Sequence, residues 1–382
     1  MKKWRILNHG DSRPSMVTVN VNSGILSLDI LSGRILSHAM AVRMKDIARD
    51  LGVSVVTVSK VLRNHSDIGE ATRERVLRRV KELDYRPNLA ARALVTGRTN
   101  MVGYIVPDLV HPFFAEIAKG LTNVLRAKGY NLVISSSEED PALEQDEIDN
   151  LLARGVDALI VASTQWTVES FRRIEEQKVP YVLIDRKFTG LAANFVGVDD
   201  ELVGVLATRH LIEQGRRRIA HIRGPETSTA IGRYEGYHRA LSEAEIALMS
   251  EYVVSEESGD DSGHVSGYRA MRSLLKLEPK PDAVFCFNDP TAMGALKAVV
   301  ESGLSVPEDV ALVGCGDVAY ADLLRVPLST INQDSAALGE RAAELALELI
   351  KAKTPQRPRE ILVKPRLTVR ASSDVSASAA SG

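Results

Sequence analysis

The sequence predicts an all-α helix-turn-helix headpiece with a hinge helix, followed by an α/β core of two lobes, each a doubly wound parallel sheet. Three observations carry this expectation. Residues 44–62 place Ala48, Gly52 and Val58 at helix-turn-helix spacing. From Met101 onward, short continuous apolar runs alternate with amphipathic helical periods. At 382 residues the chain is long enough for more than one domain.

In the headpiece, Ala48 is small enough for a second helix to pack closely over the first. Gly52 ends that first helix, where a positive φ is wanted. Ser54 is placed to cap the second helix and Val58 to anchor it in the core. A third helix fits residues 70–83, with Val76, Leu77, Val80 and Leu83 on one face. Pro87 followed by Asn88 sets up another helix start. The segment after it is about one and a half turns, too short to persist alone in water.

Beyond Met101 the runs at 101–106, 131–135, 157–162 and 179–185 read as buried parallel strands, with helices over 113–128, 142–154 and 167–177 between them. A second series begins near Asp200, with strands at 218–222, 281–287 and 309–314. The last twelve residues are small and polar, and are expected to be disordered.

The order of elements is informative together with its motifs: the headpiece, YRPN at 85–88, LAARALVTG at 89–97, VGYIVPD at 102–108, VLIDR at 182–186, RIAHI at 218–222, CFNDPTAMGA at 286–295 and VPEDVALVG at 306–314. Over residues 44–370 this chain resembles the LacI/GalR family of bacterial repressors. The resemblance implies a periplasmic-binding-protein-like core whose chain crosses between lobes near Asp199, near Gln333 and in the last strands. The expected organisation is a leader at 1–43, non-native or disordered, a headpiece at 44–86, a hinge helix and linker at 87–99, a two-lobed effector-binding and dimerisation domain at 100–370, and a tail at 371–382. The leader admits two readings, a start assigned too far upstream or an extra binding arm.

A recognition helix presents its N-terminal side chains to base edges in the major groove. Here these are Val55, Val56 and Ser59, then Lys60. The resemblance puts Val55 and Val56 at the pair that sets operator choice, where apolar side chains can touch a thymine methyl but cannot hydrogen-bond a base. Core packing is the alternative for Val55. Lys60 is the candidate reader of guanine acceptors. Ser54, Thr57, Asn64 and Thr72 suit phosphate contacts, which set register without reading sequence. The family pattern makes Leu94, with Ala91 beside it, a wedge in the minor groove. An interdomain contact is the alternative for Leu94.

Ligands of open α/β sheets bind beyond the carboxyl ends of strands. Residues so placed are Asp108, Phe113, Phe114 and Asp185 in the first lobe, and Arg233, Asn288, Asp289 and Asp317 in the second. Carboxylates, an amide, an arginine and aromatic rings suit a polyhydroxylated effector, most simply a sugar. By resemblance, Asp185, Arg233 and Asn288 match effector contacts and Gln333 a crossover position at the cleft. Helix capping is the alternative for Asp289. One departure stands out: the loop after VPEDVALVG, which in the family often reads aromatic-Asp-Asp, here reads Cys315, Gly316, Asp317, so the first carboxylate is missing.

The charge is unevenly spread. Residues 44–100 carry 12 Lys/Arg against 7 Asp/Glu, whereas residues 101–382 carry 30 against 41. Only the headpiece side is therefore suited to a polyanion. Cys286 and Cys315 lie in apolar strands with no CxxC pair, and read as reduced thiols of a cytoplasmic protein. No apolar run reaches the roughly 18–20 residues of a membrane span. The leader lacks the apolar core of a signal peptide, which weighs against a secreted transport protein with the same two-lobed core. No GxGxxG, GxxxxGK(S/T), HExxH or metal-type Cys/His cluster occurs, so neither an enzyme nor a cofactor is expected. The implied partners are double-stranded operator DNA, a small-molecule effector and a second copy of the chain, with no membrane.

Overall fold

The computed structural model describes residues 3–4, 17–18, 42–62, 64–85, 93, 97–165, 168–188, 190–255 and 263–374. The chain divides into two units, Met1–Asn88 and Leu89–Gly382. The hinge residues Ala91 and Leu94, the cap Asn88, most of the leader and residues 375–382 lie outside the described residues. Within the leader, the two-residue strands β1 (Lys3–Trp4) and β2 (Val17–Thr18) pair antiparallel.

The headpiece forms three helices, α1 (Met44–Leu51), α2 (Val55–Leu62) and α3 (Glu70–Glu82). Gly52 ends α1 at φ 64°, and the Thr57 N–H donates to Ser54 Oγ at 3.0 Å, capping α2. Ile47, Ala48, Val58, Val61, Val76 and Tyr85 make the small core. Leu77 corrects the sequence reading: it is 46% exposed, because Val76, Val80 and Leu83 supply the packed face. Arg75 donates to the Leu51 carbonyl at 3.0 Å and Arg79 pairs with Asp50 at 2.6 Å, tying α3 to the end of α1.

The second unit holds two six-stranded sheets. The first contains β3 (Met101–Val106), β4 (Asn131–Ser136), β5 (Ala158–Val161), β6 (Tyr181–Ile184), β7 (Asn194–Val198) and β13 (Glu360–Val363), ordered β13-β7-β6-β5-β3-β4 and parallel throughout. The second contains β8 (Ile219–Arg223), β9 (Val253–Ser255), β10 (Ala283–Cys286), β11 (Ala311–Cys315), β12 (Ser329–Asn332) and β14 (Arg366–Thr368), ordered β14-β12-β11-β10-β8-β9. Only β14 departs from the expected parallel arrangement, running antiparallel to β12. Every residue of β5, β10 and β11 is buried, as continuous apolar strands covered on both faces must be. The chain passes between lobes after β7, after β12 and between β13 and β14.

Helices cover the sheets. In the first lobe these are α4 (Pro112–Ala127), α5 (Pro141–Ala153), α6 (Glu169–Glu176) and α11 (Ser335–Lys351), and in the second α7 (Asp200–Glu213), α8 (Ser228–Glu243), α9 (Gly263–Leu274) and α10 (Asp289–Glu301). Three helix pairs touch backbone to backbone through reciprocal glycines. A Cβ on Gly204 would lie 2.1 Å from the Arg233 carbonyl oxygen, and one on Gly236 2.0 Å from that of Glu201. Gly267 and Gly294 join α9 to α10, and Gly120 and Gly339 join α4 to α11, with the same reciprocity. No side chain fits at such contacts without moving a helix.

The expected disorder from residue 371 is corrected for residues 371–374. Ser372 and Ser373 are fully buried. Ser372 Oγ donates to the Leu312 carbonyl at 2.7 Å and accepts from the Ser329 N–H at 2.8 Å, while Ser373 Oγ lies 2.7 Å from both Ser329 Oγ and His210 Nε2. Small polar residues read as tail because composition does not reveal partners waiting on another strand.

His221, fully buried on β8, stacks at 4.7 Å and 9° on Phe285 and donates from Nδ1 to the Phe285 carbonyl at 2.9 Å. Burial holds its pKa down at about 3, against 6.5 for a free imidazole. Between those values the unfolded chain takes up a proton that the folded chain refuses, so stability is full above pH 6.5 and falls as the pH drops. The slope is at most about 1.4 kcal/mol per pH unit. The advantage of the parent over His221→Phe should therefore shrink from pH 7 to pH 4. Urea unfolding of both chains checks this; a pH-independent gap would contradict it.

Candidate functional site

On the headpiece, the α2 N-terminus presents Val55 and Val56 at 43% and 62% exposure, which rules out core packing for Val55. Ser54 is exposed, Thr57 and Ser59 half-buried, and Ser54 Oγ lies 2.9 Å from Thr57 Oγ1. Lys60 is ion-paired with Asp67, so a base acceptor would have to displace that carboxylate. Asn64, at φ 57°, accepts from Arg73 at 2.6 Å, and Thr72 sits half-buried in the first turn of α3. The polar set expected at phosphates therefore sits around the α2 N-terminus and the α2–α3 loop. No signal in the sequence announced the Lys60–Asp67 pair.

In the core, the carboxyl ends of the strands place the second set. Asp185 follows β6 at φ 65°, a left-handed conformation that a non-glycine residue adopts only at a cost of about 1–3 kcal/mol. Its carboxylate is 3.9 Å from Arg186 Nε, and burial raises its pKa despite the nearby Arg186 and Arg233. Arg186 forks onto Glu139 through two bonds of 2.8 and 2.9 Å and lies 3.4 Å from the Ser163 carbonyl. Glu144, fully buried, accepts from Ser163 Oγ, the Thr164 N–H and Thr164 Oγ1. Three strand-end loops of the first lobe are thereby locked together.

Across the cleft, Arg233 projects from α8 and is 3% exposed. It donates to Asp200 at 2.9 Å and to the Phe287 carbonyl at 2.6 Å, with its guanidinium 4.7 Å over the Phe287 ring. Burial pushes the Asp200 carboxyl up to about 7 even beside this arginine. Asn288 caps α10 by accepting from the Thr291 N–H at 2.9 Å, and its Nδ2 lies 3.3 Å from His111 Nε2 of the other lobe. The backbone N–H of Lys187 donates to Ser228 Oγ at 3.0 Å, a second contact between lobes. Gln333, 2% exposed, sits at the crossing into α11 with Nε2 lacking a partner among the described residues.

Five side chains expected at the ligand have other surroundings. Asp289 is fully buried, accepting from Thr330 Oγ1 at 2.6 Å and the Val318 N–H at 2.9 Å; the cap of α10 is Asn288, and Asp289 braces the loop after β11. Asp317 is held by Arg370 and Asn332, both at 2.7 Å. Phe113 and Phe114 are 6% exposed and pack against each other with ring centres 5.2 Å apart, leaving little face for a sugar. Asp108 accepts from the Val110 N–H at 2.7 Å in a local turn.

Sequence reasoning missed His111, Glu139, Arg186, Asp200 and Phe287. Arg186 and Phe287 immediately neighbour recognised strand ends, and Asp200 opens the helix after the first crossover, so the strand-end rule taken one residue wider would have included them. Glu139 carried no signal. Both cysteines are buried and neither is in a disulfide among the described residues, and burial pushes the Cys315 thiol up to about 12.

An exposed recognition helix on one unit and a two-lobed, ligand-binding-protein-like core on the other define a DNA-binding transcriptional regulator. Residues 43–88 match the family model for bacterial regulatory proteins, lacI family, and residues 208–373 that for a periplasmic binding protein-like domain. The chain is 33% identical over 331 residues to the HTH-type transcriptional repressor PurR of Actinobacillus pleuropneumoniae serotype 3 (strain JL03), covering 86% of this chain and 97% of that one. It is 36% identical over 330 residues to the ribose operon repressor of Haemophilus influenzae, covering 86% and 98%. Among solved structures, the Lac repressor dimer bound to operator and the anti-inducer ONPF superposes with a TM-score of 0.77 at 27% identity, over 87% of this chain and 99% of that one. The transcriptional regulator CelR–cellobiose complex gives 0.66 at 31% identity, over 87% and 99%. The chain belongs to the LacI family of bacterial transcriptional regulators. These relatives and structural neighbours are regulators, not enzymes. Among the described residues no helix is long and apolar enough to cross a membrane.

Proposed function

We propose that this chain is a repressor that binds a near-palindromic operator as a homodimer in the cytoplasm and is controlled by a small polyol, most simply a sugar, held between the lobes. The observation that carries the ligand reading is a set of polar side chains facing one cleft from both lobes, with Asn288 Nδ2 3.3 Å from His111 Nε2 and with Asp185 and Arg233 each buried on its own lobe. Among the described residues Asp185 has no ion pair shorter than 3.9 Å and so offers acceptors, and Asn288 offers a donor from the facing lobe. A ligand gripping both lobes favours one lobe arrangement, and only such differential affinity shifts a two-state equilibrium. CelR with bound cellobiose is a precedent for a sugar in a related core.

On DNA, Val55, Val56 and Ser59 would face base edges, the valines against thymine methyls, with Lys60 on a guanine and Ser54, Thr57, Asn64 and Thr72 at the phosphates. Leu94 and Ala91 would enter the minor groove between half-sites. Selection from random duplexes tests the reading. A twofold-symmetric site should emerge, with log K falling linearly against log salt by about 0.9 per neutralised phosphate. Selection of no symmetric sequence would refute it. Lys60→Ala should relax preference at one base pair per half-site by roughly tenfold, read by competition among single-substitution operators; unchanged preference would remove Lys60 from the base readers.

A further inference from the structure

We propose that His111 and Asn288 form a two-donor seat that receives one ligand oxygen from both lobes at once, a deepening that rests on reading the cleft as the effector site. His111 caps α4: its Nδ1 accepts from the Phe113 N–H at 3.3 Å. That nitrogen therefore carries the lone pair. Burial holds the ring's pKa down at about 4, so at neutral pH it bears a single proton, and that proton is on Nε2. The opposite side chain is fixed as firmly. Asn288 Oδ1 accepts from both the N–H and the hydroxyl of Thr291, at 2.9 and 2.8 Å, which turns Nδ2 toward His111. The two facing nitrogens lie 3.3 Å apart and belong to different lobes.

Both are donors, so they cannot hydrogen-bond each other. A carbonyl or hydroxyl oxygen has two lone pairs and can accept from both, turning an unfavourable contact into two bonds that exist only while the lobes are together. Of the groups close enough to act on the charge of His111, Asp108 already accepts from the Val110 N–H and Glu139 from Arg186, while Arg186 Nε is buried without a hydrogen-bond partner among the described residues. The imidazole cannot swing away freely, since Phe113 and Phe114 hold it with ring centres 6.4 and 5.5 Å distant. The ligand end that enters here is therefore an oxygen acceptor, not an amine.

Long-range nitrogen NMR of the histidine rings in the unliganded full chain tests the seat directly, with the His111 signals identified by their loss in His111→Asn. The expected result is a protonated Nε2 and a bare Nδ1. The opposite tautomer would make Nε2 an acceptor already satisfied by Asn288, and would overturn the proposal. His111→Asn also separates the two roles, because asparagine is a strong helix cap but lacks Nε2. It should melt with the parent while binding D-ribose or cellobiose, whichever raises the parent's melting temperature, about tenfold more weakly by calorimetry. Equal binding by parent and variant would overturn the seat. If neither sugar binds and Nε2 still carries the proton, the donor pair stands and the sugar reading of the cleft fails.

Discussion

Arg233→Ala is expected to abolish most ligand binding and to cost about 3 kcal/mol of stability. The side chain is buried and makes two charge-assisted bonds, to the Asp200 carboxylate and the Phe287 carbonyl. Removing it leaves Asp200 and a main-chain oxygen without their donor inside the lobe. Breaking a buried ion pair from one side typically costs about 3–5 kcal/mol. The lower end is expected because the Asp200 carboxyl, already pushed up to about 7, can escape by taking a proton. That escape has a signature. Without the arginine, Asp200 binds its proton more tightly in the fold than in the unfolded chain, so the variant should lose further stability as pH rises from about 4 through 7. Asp200→Asn should offset part of the loss in the double variant, since the orphaned carboxylate is then gone. Urea unfolding of the three variants checks this; a loss under about 1 kcal/mol for Arg233→Ala, or strict additivity, would contradict it.

Gly236→Val is expected to be worse. Its Cβ would lie 2.0 Å from the Glu201 carbonyl oxygen, with the main-chain N of Val205 at 2.8 Å. Neither neighbour is a flexible side-chain tip, so α7 and α8 must separate. Overpacking typically costs about 1–3 kcal/mol, and here it also disturbs Arg233, three residues away on α8. A loss of about 3 kcal/mol or more, with early proteolysis of the second lobe, is the expected outcome. A melting temperature close to that of the parent would show that the helices are not held by this contact.

The fold was legible because its signals are periodic. Continuous apolar runs such as those around Ala158–Val161 and Ala311–Cys315 mark strands buried on both faces. Gly52 and Ser54 mark a helix end and a helix start by local chemistry alone. The short strands Asn194–Val198 and Val253–Ser255 escaped because three to five residues carry little period. At the candidate site, residue type and strand-end position put forward Asp185, Arg233 and Asn288, and the family resemblance added Gln333. They did not distinguish a side chain facing the cleft from one turned inward. Asp289 and Asp317 look equivalent to Asp185 in sequence, yet Asp289 is held by Thr330 and Val318 and Asp317 by Arg370 and Asn332. Those partners lie 15 to 53 residues away, beyond any local pattern. His111 was invisible for another reason: before Pro112 it reads as a helix cap, and only the folded chain brings Asn288 to its second nitrogen.

The claim that ligand and DNA are coupled has a direct measurement. The operator selected from random duplexes is labelled, and its affinity for the full chain is measured by fluorescence anisotropy at one fixed salt concentration. The titration is run without ligand and again with the cleft saturated by a sugar shown by calorimetry to bind the parent and not Arg233→Ala. Coupling of about 1–3 kcal/mol predicts that the two affinities differ by roughly 5–150-fold. Identical affinities with the cleft occupied and empty would contradict ligand control, while leaving the DNA-binding headpiece as described.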